Sequence, residues 1–383
     1  MVAPPAPAGA ARRGSEAIRR RSPGEGRWTS ETGETVAVDK KPCDILLVGS
    51  YAAPTAEDVF RSVATALGNR VRRIPDGETG DRSQWIRWQV FAFRDNPAFA
   101  LDPRQKGTDY PTDFYGLRPG VTGKDVTFGP LRYAENAKAS YDVLARLRRQ
   151  GVVPSGCRLQ VSLPTPYNVL DRHVLPKDRL AVEGAYERRM LAEIDEMVAA
   201  IPPGDLAVQW DCAHEITNLE GARKGWFADL AQEETEIIAR LARLGNRVPQ
   251  GVELGYHLCY GDFNHKHLIE PKDTALMVRV ANRLSRAIGR SIDWIHMPVP
   301  RGRTDDAYYA PLKDLRLRPE TRLYLGLVHH TDGLAGTRKR IAAAQKVVGD
   351  FGIATECGLG RRAAETLPKL LEIHAEAAAV VDR

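Results

Sequence analysis

What this 383-residue chain has little of narrows it first. It carries five cysteines, an odd number, at Cys43, Cys157, Cys212, Cys259 and Cys357. Disulfide frameworks belong to short, cysteine-dense secreted chains, so this wide spacing points to free thiols in a reducing compartment and an expected cytoplasmic location. No apolar run approaches the roughly 18 residues that cross a bilayer. Aromatic residues make up 7% of the chain and no basic stripe interleaves with them, so the formal charge of +6 is not the footprint of a nucleic-acid binder. The glycine-rich turn that dinucleotide-binding sheets often carry after their first strand is also missing. Nucleic acid and membrane are thereby set aside as partners, and small-molecule chemistry remains. The 43% hydrophobic and 27% charged residues are those of a globular protein with a sizeable core.

Residues 1–40 are rich in Pro, Ala, Gly and Arg without apolar periodicity, and they are expected to be a disordered leader because they cannot bury enough surface to offset ordering entropy. From residue 41 onward apolar runs alternate with helical patterns. CDILLVGS (43–50) reads as a buried strand, followed by a helix capped by Thr55 with Glu57 and Asp58 in its first turn and Val59, Val63 and Leu67 along one face. RVRRIPDGETGDR (70–82) is a strand running into a charged turn. Residues 83–131 show little periodicity and are expected to be a helix and a long insertion acting as a lid or flap. Further strands are expected at 157–164, 206–211, 251–259, 291–297, 322–330 and 351–357. Eight strand–helix units in a single domain over 41–383 predict a parallel (β/α)8 TIM barrel, with an open doubly wound sheet as the alternative.

In such barrels the site lies at the C-terminal ends of the strands. Here those ends carry Gly49 and Ser50, Asp76 and Glu78, Thr165, Asp211, His257 with Cys259, His296, His329 with His330, and Cys357. In an extended segment residues two apart share a face, so His257 and Cys259 place a nitrogen and a sulfur donor together. Taken alone, a His beside a Cys on a strand is ordinary core filling. What sets this pair apart is the convergence of polar residues at nearly every strand end. Imidazole and thiolate are preferred zinc ligands, and Cys357 is the next candidate donor. Cys157 and Cys212 read as core, and His265 and His267 as solvated or capping residues of a following loop.

The segments YHLCYGDF (256–263) and ECGLGRR (356–362) resemble the zinc motifs in the catalytic C-terminal barrel of cobalamin-independent methionine synthase, within the superfamily that also holds uroporphyrinogen decarboxylase. LLVGSYAAP is similar to that family's Ile-Gly-Ser-Phe-Pro start, PDGETGDR to its Asp-Gly-Glu turn, and VQWD to its Gln-Ile-Asp strand, so the resemblance covers about residues 43–370. It implies a zinc cofactor held by His257, Cys259 and Cys357, with Ser50 and Asp211 near a bound amino-acid thiol. The family's remaining ligand, a Glu, is replaced in IDWIHMPVP by His296, which is expected as the fourth donor because imidazole can stand in for carboxylate on zinc. The family's Asp-Glu-Pro becomes Asp211-Cys212-Ala213, and LGLVHHTDG aligns only approximately with its proton-donating His.

These departures imply a relative acting on another substrate. The expected activity is that of a transferase moving a methyl or alkyl group onto a small-molecule thiol activated as a zinc thiolate. His329 or His330 would serve as general acid, and Asp76, Glu78 and Asp211 would hold a substrate ammonium. Two alternatives stand beside it: a metal-free lyase of the uroporphyrinogen decarboxylase type, and a noncatalytic barrel stabilised by zinc. The sequence carries no signal for the oligomeric state.

Overall fold

The computed structural model describes residues 27–29, 35–37, 43–106, 113–261 and 267–382. The expected leader lies largely outside these residues; within it Arg27–Thr29 and Thr35–Ala37 pair antiparallel. Residues 1–42 form a unit separate from 43–383.

Seven strands build one parallel sheet in chain order: β1 (Arg73–Pro75), β2 (Arg158–Pro164), β3 (Leu206–Cys212), β4 (Glu253–Leu258), β5 (Trp294–Pro298), β6 (Arg322–Val328) and β7 (Gly352–Thr355). Each strand pairs with the next, the arrangement that helical crossovers produce. The long helices are α1 (Ala56–Leu67), α2 (Tyr133–Arg149), α3 (Arg179–Ala200), α4 (Leu230–Arg247), α5 (Ala275–Ala287), α6 (Gly333–Gln345) and α7 (Leu367–Val381). After β5 only the short helix Asp306–Tyr309 and a 3-10 turn intervene.

The expected first strand departs from regularity. Residues 43–51 make isolated parallel bridges in both directions, Ile45 to Ile353 of β7 and Ser50 to Gly77 just beyond β1. Ile353 N–H donates to the Asp44 carbonyl and Leu46 N–H to the Ile353 carbonyl, whereas Tyr51 N–H donates to Gly77. An apolar run therefore does sit between the sheet's two edges, and the sheet is curled to meet it, but the run forms no ladder of its own.

Helix α1 follows as read: Thr55 accepts from Asp58 N–H, and Val59, Phe60, Val63 and Leu67 are buried. Most of the apolar core lies between the sheet and its helices. A second, smaller cluster of Leu46, Val48, Ala207, Trp294, Tyr324 and Ala354 fills the inside of the curl. It is floored by polar groups: the Arg73 guanidinium lies 4.1 Å above the Trp294 ring and donates to Glu253 at 2.8 Å, while the Tyr324 hydroxyl donates to Asp44 at 2.9 Å. These sit toward the strand starts, opposite the histidines and cysteines.

The stretch expected as a helix and long insertion is more structured than its sequence suggested. Gly80–Val90 is 3-10 helix broken at Trp85, Phe91–Arg94 is a short helix, and Phe99–Lys106 pairs antiparallel with Asp113–Leu117. Phe93 anchors it, stacking on His173 and Tyr186 and meeting Phe99 and Phe128 edge-on. No described helix is long and apolar enough to cross a membrane.

Candidate metal and substrate site

Strand register places the donors. In a parallel ladder paired residues share a face, and β3, β4 and β5 pair Asp211 with His257 and His257 with His296. Cys259 follows at the end of β4, its N–H held by the Cys212 carbonyl at 3.1 Å. Cys357 sits in the turn after β7, and that turn is clamped onto Ser50, whose hydroxyl accepts from Gly360 N–H at 3.2 Å. The close approach requires glycine, since a Cβ on Gly358 would lie 2.3 Å from the Ser50 Oγ.

His257, Cys259 and Cys357 thereby meet, with their donor atoms all within 4.8 Å of one another. The two sulfurs are 3.7 Å apart, and Cys357 Sγ lies 3.8 Å from His257 Nε2. A tetrahedral zinc with ordinary bond lengths would need edges of about 3.8 Å between sulfurs and about 3.6 Å between sulfur and nitrogen. The donors fit such an ion in their chemistry, and the two edges that meet at Cys357 fit it in spacing.

His296, expected as a fourth ligand, stands behind His257 instead. Its Nε2 is 3.0 Å from the Thr355 carbonyl and its Nδ1 is 2.7 Å from His257 Nδ1. Burial pushes the His296 imidazole down to about 3, so it is neutral. A carbonyl only accepts, which puts the His296 proton on Nε2 and makes its Nδ1 an acceptor. His257 must then donate from Nδ1, leaving the Nε2 lone pair directed at Cys357. Burial, and then the neighbouring His296, likewise hold His257 in its neutral form.

These groups open onto a cavity of about 220 Å³ that Ser50, Glu78, Asp211, His257, Cys259 and Cys357 all line. Burial is the main cause that raises both carboxyls, Glu78 to about 7 and Asp211 well above its ordinary range, and the charge of Glu78 adds to the second. A pair of this kind invites a cation, whose charge would restore both to the ionised form. Of the three non-glycine residues with positive φ among the described residues, two, Glu78 at 50° and Trp85 at 51°, line this cavity. Strain of this kind persists where surrounding contacts over-determine it, and it gathers at functional sites.

The other expected residues lie elsewhere. Both Asp76 oxygens are engaged, by Arg82 at 2.8 and 3.2 Å and by Ser140 at 2.9 Å, and Asp76 also accepts from Glu78 N–H, so it braces the turn. His329 packs Nε2 against the Val299 carbonyl at 2.8 Å and Nδ1 3.2 Å from Glu356, and neither it nor His330 lines the cavity. His265 lies outside the described residues; His267 sits with its Nδ1 3.5 Å from Glu270. Cys157 and Cys212 are buried, as read.

One group that the sequence reading passed over faces the cavity: His214, in the short helix His214–Leu219 after β3. Its Nδ1 is 2.8 Å from Asp171, which also accepts from the Trp226 indole and pairs with Arg179. Burial opposes ionisation of Asp171, but the hydrogen bond from His214 and these other partners outweigh it and hold the carboxyl below its ordinary range. An ionised carboxylate only accepts, so the His214 proton resides on Nδ1 and Nε2 is left as a base. The available signal was the segment DCAHEI, which sets a histidine three residues beyond Asp211.

No protein-family model matches the chain, and no curated protein matches its sequence. Among solved structures, a B12-independent methionine synthase from Shewanella sp. W3-18-1 in complex with selenomethionine superposes with a TM-score of 0.59 at 16% identity, covering 89% of this chain and 98% of that one. A candidate vitamin-B12-independent methionine synthase from Listeria monocytogenes gives 0.54 at 15% identity, covering 90% and 99%. At these identities the likeness is one of fold: the chain shares the curled parallel α/β architecture of both.

Proposed function

We propose that this protein is a zinc-dependent transferase that moves a methyl or other alkyl group onto the sulfur of a small-molecule thiol, on a (β/α)8 barrel in which residues 43–51 serve as the eighth strand. The observation that carries the reading is the meeting of His257, Cys259 and Cys357 at one side of a cavity. The fold shared with B12-independent methionine synthases supports it. A zinc ion bound there would lower the pKa of a thiol beside it and present the sulfur as a nucleophile at neutral pH.

The chain's own residues supply the rest. His296 holds His257 in the tautomer with a free Nε2. Glu78 and Asp211 hold an ammonium group of the substrate. His214 Nε2 takes the proton the thiol loses and returns it to the departing group, Asp171 stabilising the imidazolium between the two events. A sulfur–carbon bond forms as the bond from that carbon to its leaving group breaks, so thiol and donor give thioether and protonated leaving group. A closed structural zinc site uses four protein ligands. With His296 turned away three donors remain among the described residues, which favours an open, reactive site over a noncatalytic one. The lyase reading draws support from the arginines that line the cavity, but it leaves the three clustered donors without a role.

Metal content tests this directly. Protein purified without added metal should hold close to one zinc per chain, and Cys259→Ser and Cys357→Ser should each lose it. In the cobalt-substituted protein, thiols entering the site should change the visible spectrum. Absence of zinc, or no spectral response to any of a panel of thiols, overturns the proposal.

A further inference from the structure

Cys259 and Cys357 stand 98 residues apart in the chain and 3.7 Å apart at their sulfurs. The backbone fixes both sides of this contact. Cys259 N–H is held by the Cys212 carbonyl at 3.1 Å, and the Cys357 carbonyl accepts from the Thr355 hydroxyl at 2.7 Å while Ser50 grips the glycines that follow. The sulfurs of a disulfide lie about 2.05 Å apart, so closing that bond asks the two side chains for a movement of under about 2 Å. Cys357 sits in a turn and is partly exposed, which lets it supply most of the movement. Both cysteines line the cavity, so a small oxidant reaches them directly.

The other three cysteines are placed to stay out of such a reaction. Cys212 pairs with Leu258 in the ladder between β3 and β4, so it projects to the sheet face opposite His257 and Cys259. Cys43 opens the run 43–51 and Cys157 immediately precedes β2, both at the end of the sheet away from the site. Burial pushes the Cys43 and Cys157 thiols up to about 12 and raises Cys212 well above its ordinary value, so little reactive thiolate forms there. We infer that Cys259 and Cys357 form an oxidation site, converted by a hydroperoxide into a disulfide that withdraws both sulfur donors from metal binding. With hydrogen peroxide, the Cys357 sulfur attacks one oxygen as the O–O bond breaks, giving a sulfenic acid and one water. The Cys259 sulfur then attacks the sulfenic sulfur, the S–O bond breaks, and the hydroxyl leaves with the Cys259 proton as a second water. Two thiols and one peroxide give one disulfide and two waters, the sulfurs losing the two electrons that the peroxide gains. A dithiol reductant reverses the change. Only the loss of metal rests on the transferase reading; the disulfide stands on the contact between the sulfurs.

The test treats the full-length protein with a small excess of hydrogen peroxide, with and without prior chelation by EDTA. It is read by intact mass, by peptide mapping and by zinc released to a chromophoric chelator. The mass is expected to fall by about 2 Da as two hydrogens leave. The thiols counted after denaturation should drop from the five of the chain to three, and mapping should show a peptide pair joining Cys259 to Cys357. Zinc should be released in step with the link, and dithiothreitol should restore the starting mass. In Cys259→Ser the sulfenic acid on Cys357 has no resolving thiol and should be trapped by dimedone. Mapping of the wild type needs no variant, so misfolding of Cys259→Ser would leave the test intact. A link between any other pair, oxygen added to Cys357 without a link, or a link formed while zinc stays bound overturns the inference. Zinc-bearing protein that forms no link even after chelation overturns the inference and leaves the transferase reading standing. The Cys259–Cys357 link in protein that never held zinc upholds the oxidation site and sinks that reading.

Discussion

Replacing His296 separates a ligand from a residue that orients one. In His296→Leu the buried Nδ1–H of His257 loses its acceptor at 2.7 Å and the Thr355 carbonyl loses its donor at 3.0 Å. An unsatisfied buried donor costs about 1–3 kcal/mol. His257 can escape that cost only by shifting its proton to Nε2 or swinging its ring, and either spoils the lone pair facing Cys357. Charged against metal binding, the cost corresponds to roughly 10–100-fold in affinity, or about 1.4–2.7 kcal/mol, the range ordinary for groups that support a ligand histidine. His296→Gln should recover most of it, because a side-chain amide can accept from His257 through its oxygen and donate to Thr355 through its nitrogen. The assay is zinc competition against a chromophoric chelator at pH 7.5, with melting curves as a control for folding. If His296 were itself a ligand, glutamine and leucine would weaken zinc alike. That result, or no change in either variant, would refute the orientation argument.

Burial pushes His173 and His374 down to about 4; unfolded, each titrates near 6.5, so between pH 6.5 and 4 the unfolded chain binds more protons. Stability is therefore fully kept above about pH 6.5 and falls with pH toward 4, by up to about 3 kcal/mol for each histidine. His374→Gln should flatten that slope in urea unfolding at pH 5 and 7.5, and an unchanged slope would count against it. Gly255→Ala would set a methyl 1.8 Å from the Trp294 ring, itself pinned under Arg73, and should cost about 2 kcal/mol or more; an unshifted unfolding midpoint would show that the curl can relax. His214→Gln should leave metal content intact yet slow alkyl transfer about 10²–10⁴-fold, with whatever donor the wild type turns over. It should also abolish the acidic limb of the rate profile, which the surrounding Asp171, Arg172, Arg223 and His173 tune; a parental profile in the variant would remove His214 from the chemistry.

Much of this could be read from the chain because the two periodicities are unambiguous. Strand-like segments between helical stretches became β1–β7, and the His257 and Cys259 side chains at the end of β4 lie beside Cys357. The segment 43–51 looked like its fellows because burial on both faces selects an apolar run, but burial does not dictate whether its hydrogen bonds form a ladder. His296 fell on the expected face beside His257. Which ring nitrogen turned where depended on the Thr355 carbonyl, whose position comes from β7. Asp76 carried the right chemistry, yet Arg82 and Ser140 had already claimed it. His214 and Asp171 escaped notice because they sit in separate short helices 43 residues apart and become a pair only on folding. Arg87, Arg172 and Arg223, which also line the cavity, were hidden for the same reason, whereas Arg361 stood within ECGLGRR.

The clasp between Ser50 and the Gly358–Gly360 turn fastens the second sulfur donor to a residue made some 300 positions earlier. A nascent chain emerging from the ribosome thus exposes His257 and Cys259 well before Cys357 exists, and even then the sulfur is set in place only when the last strand docks. Tight metal uptake would consequently wait for β7 to dock, and a product terminated before Cys357 would remain a weak scavenger of ions.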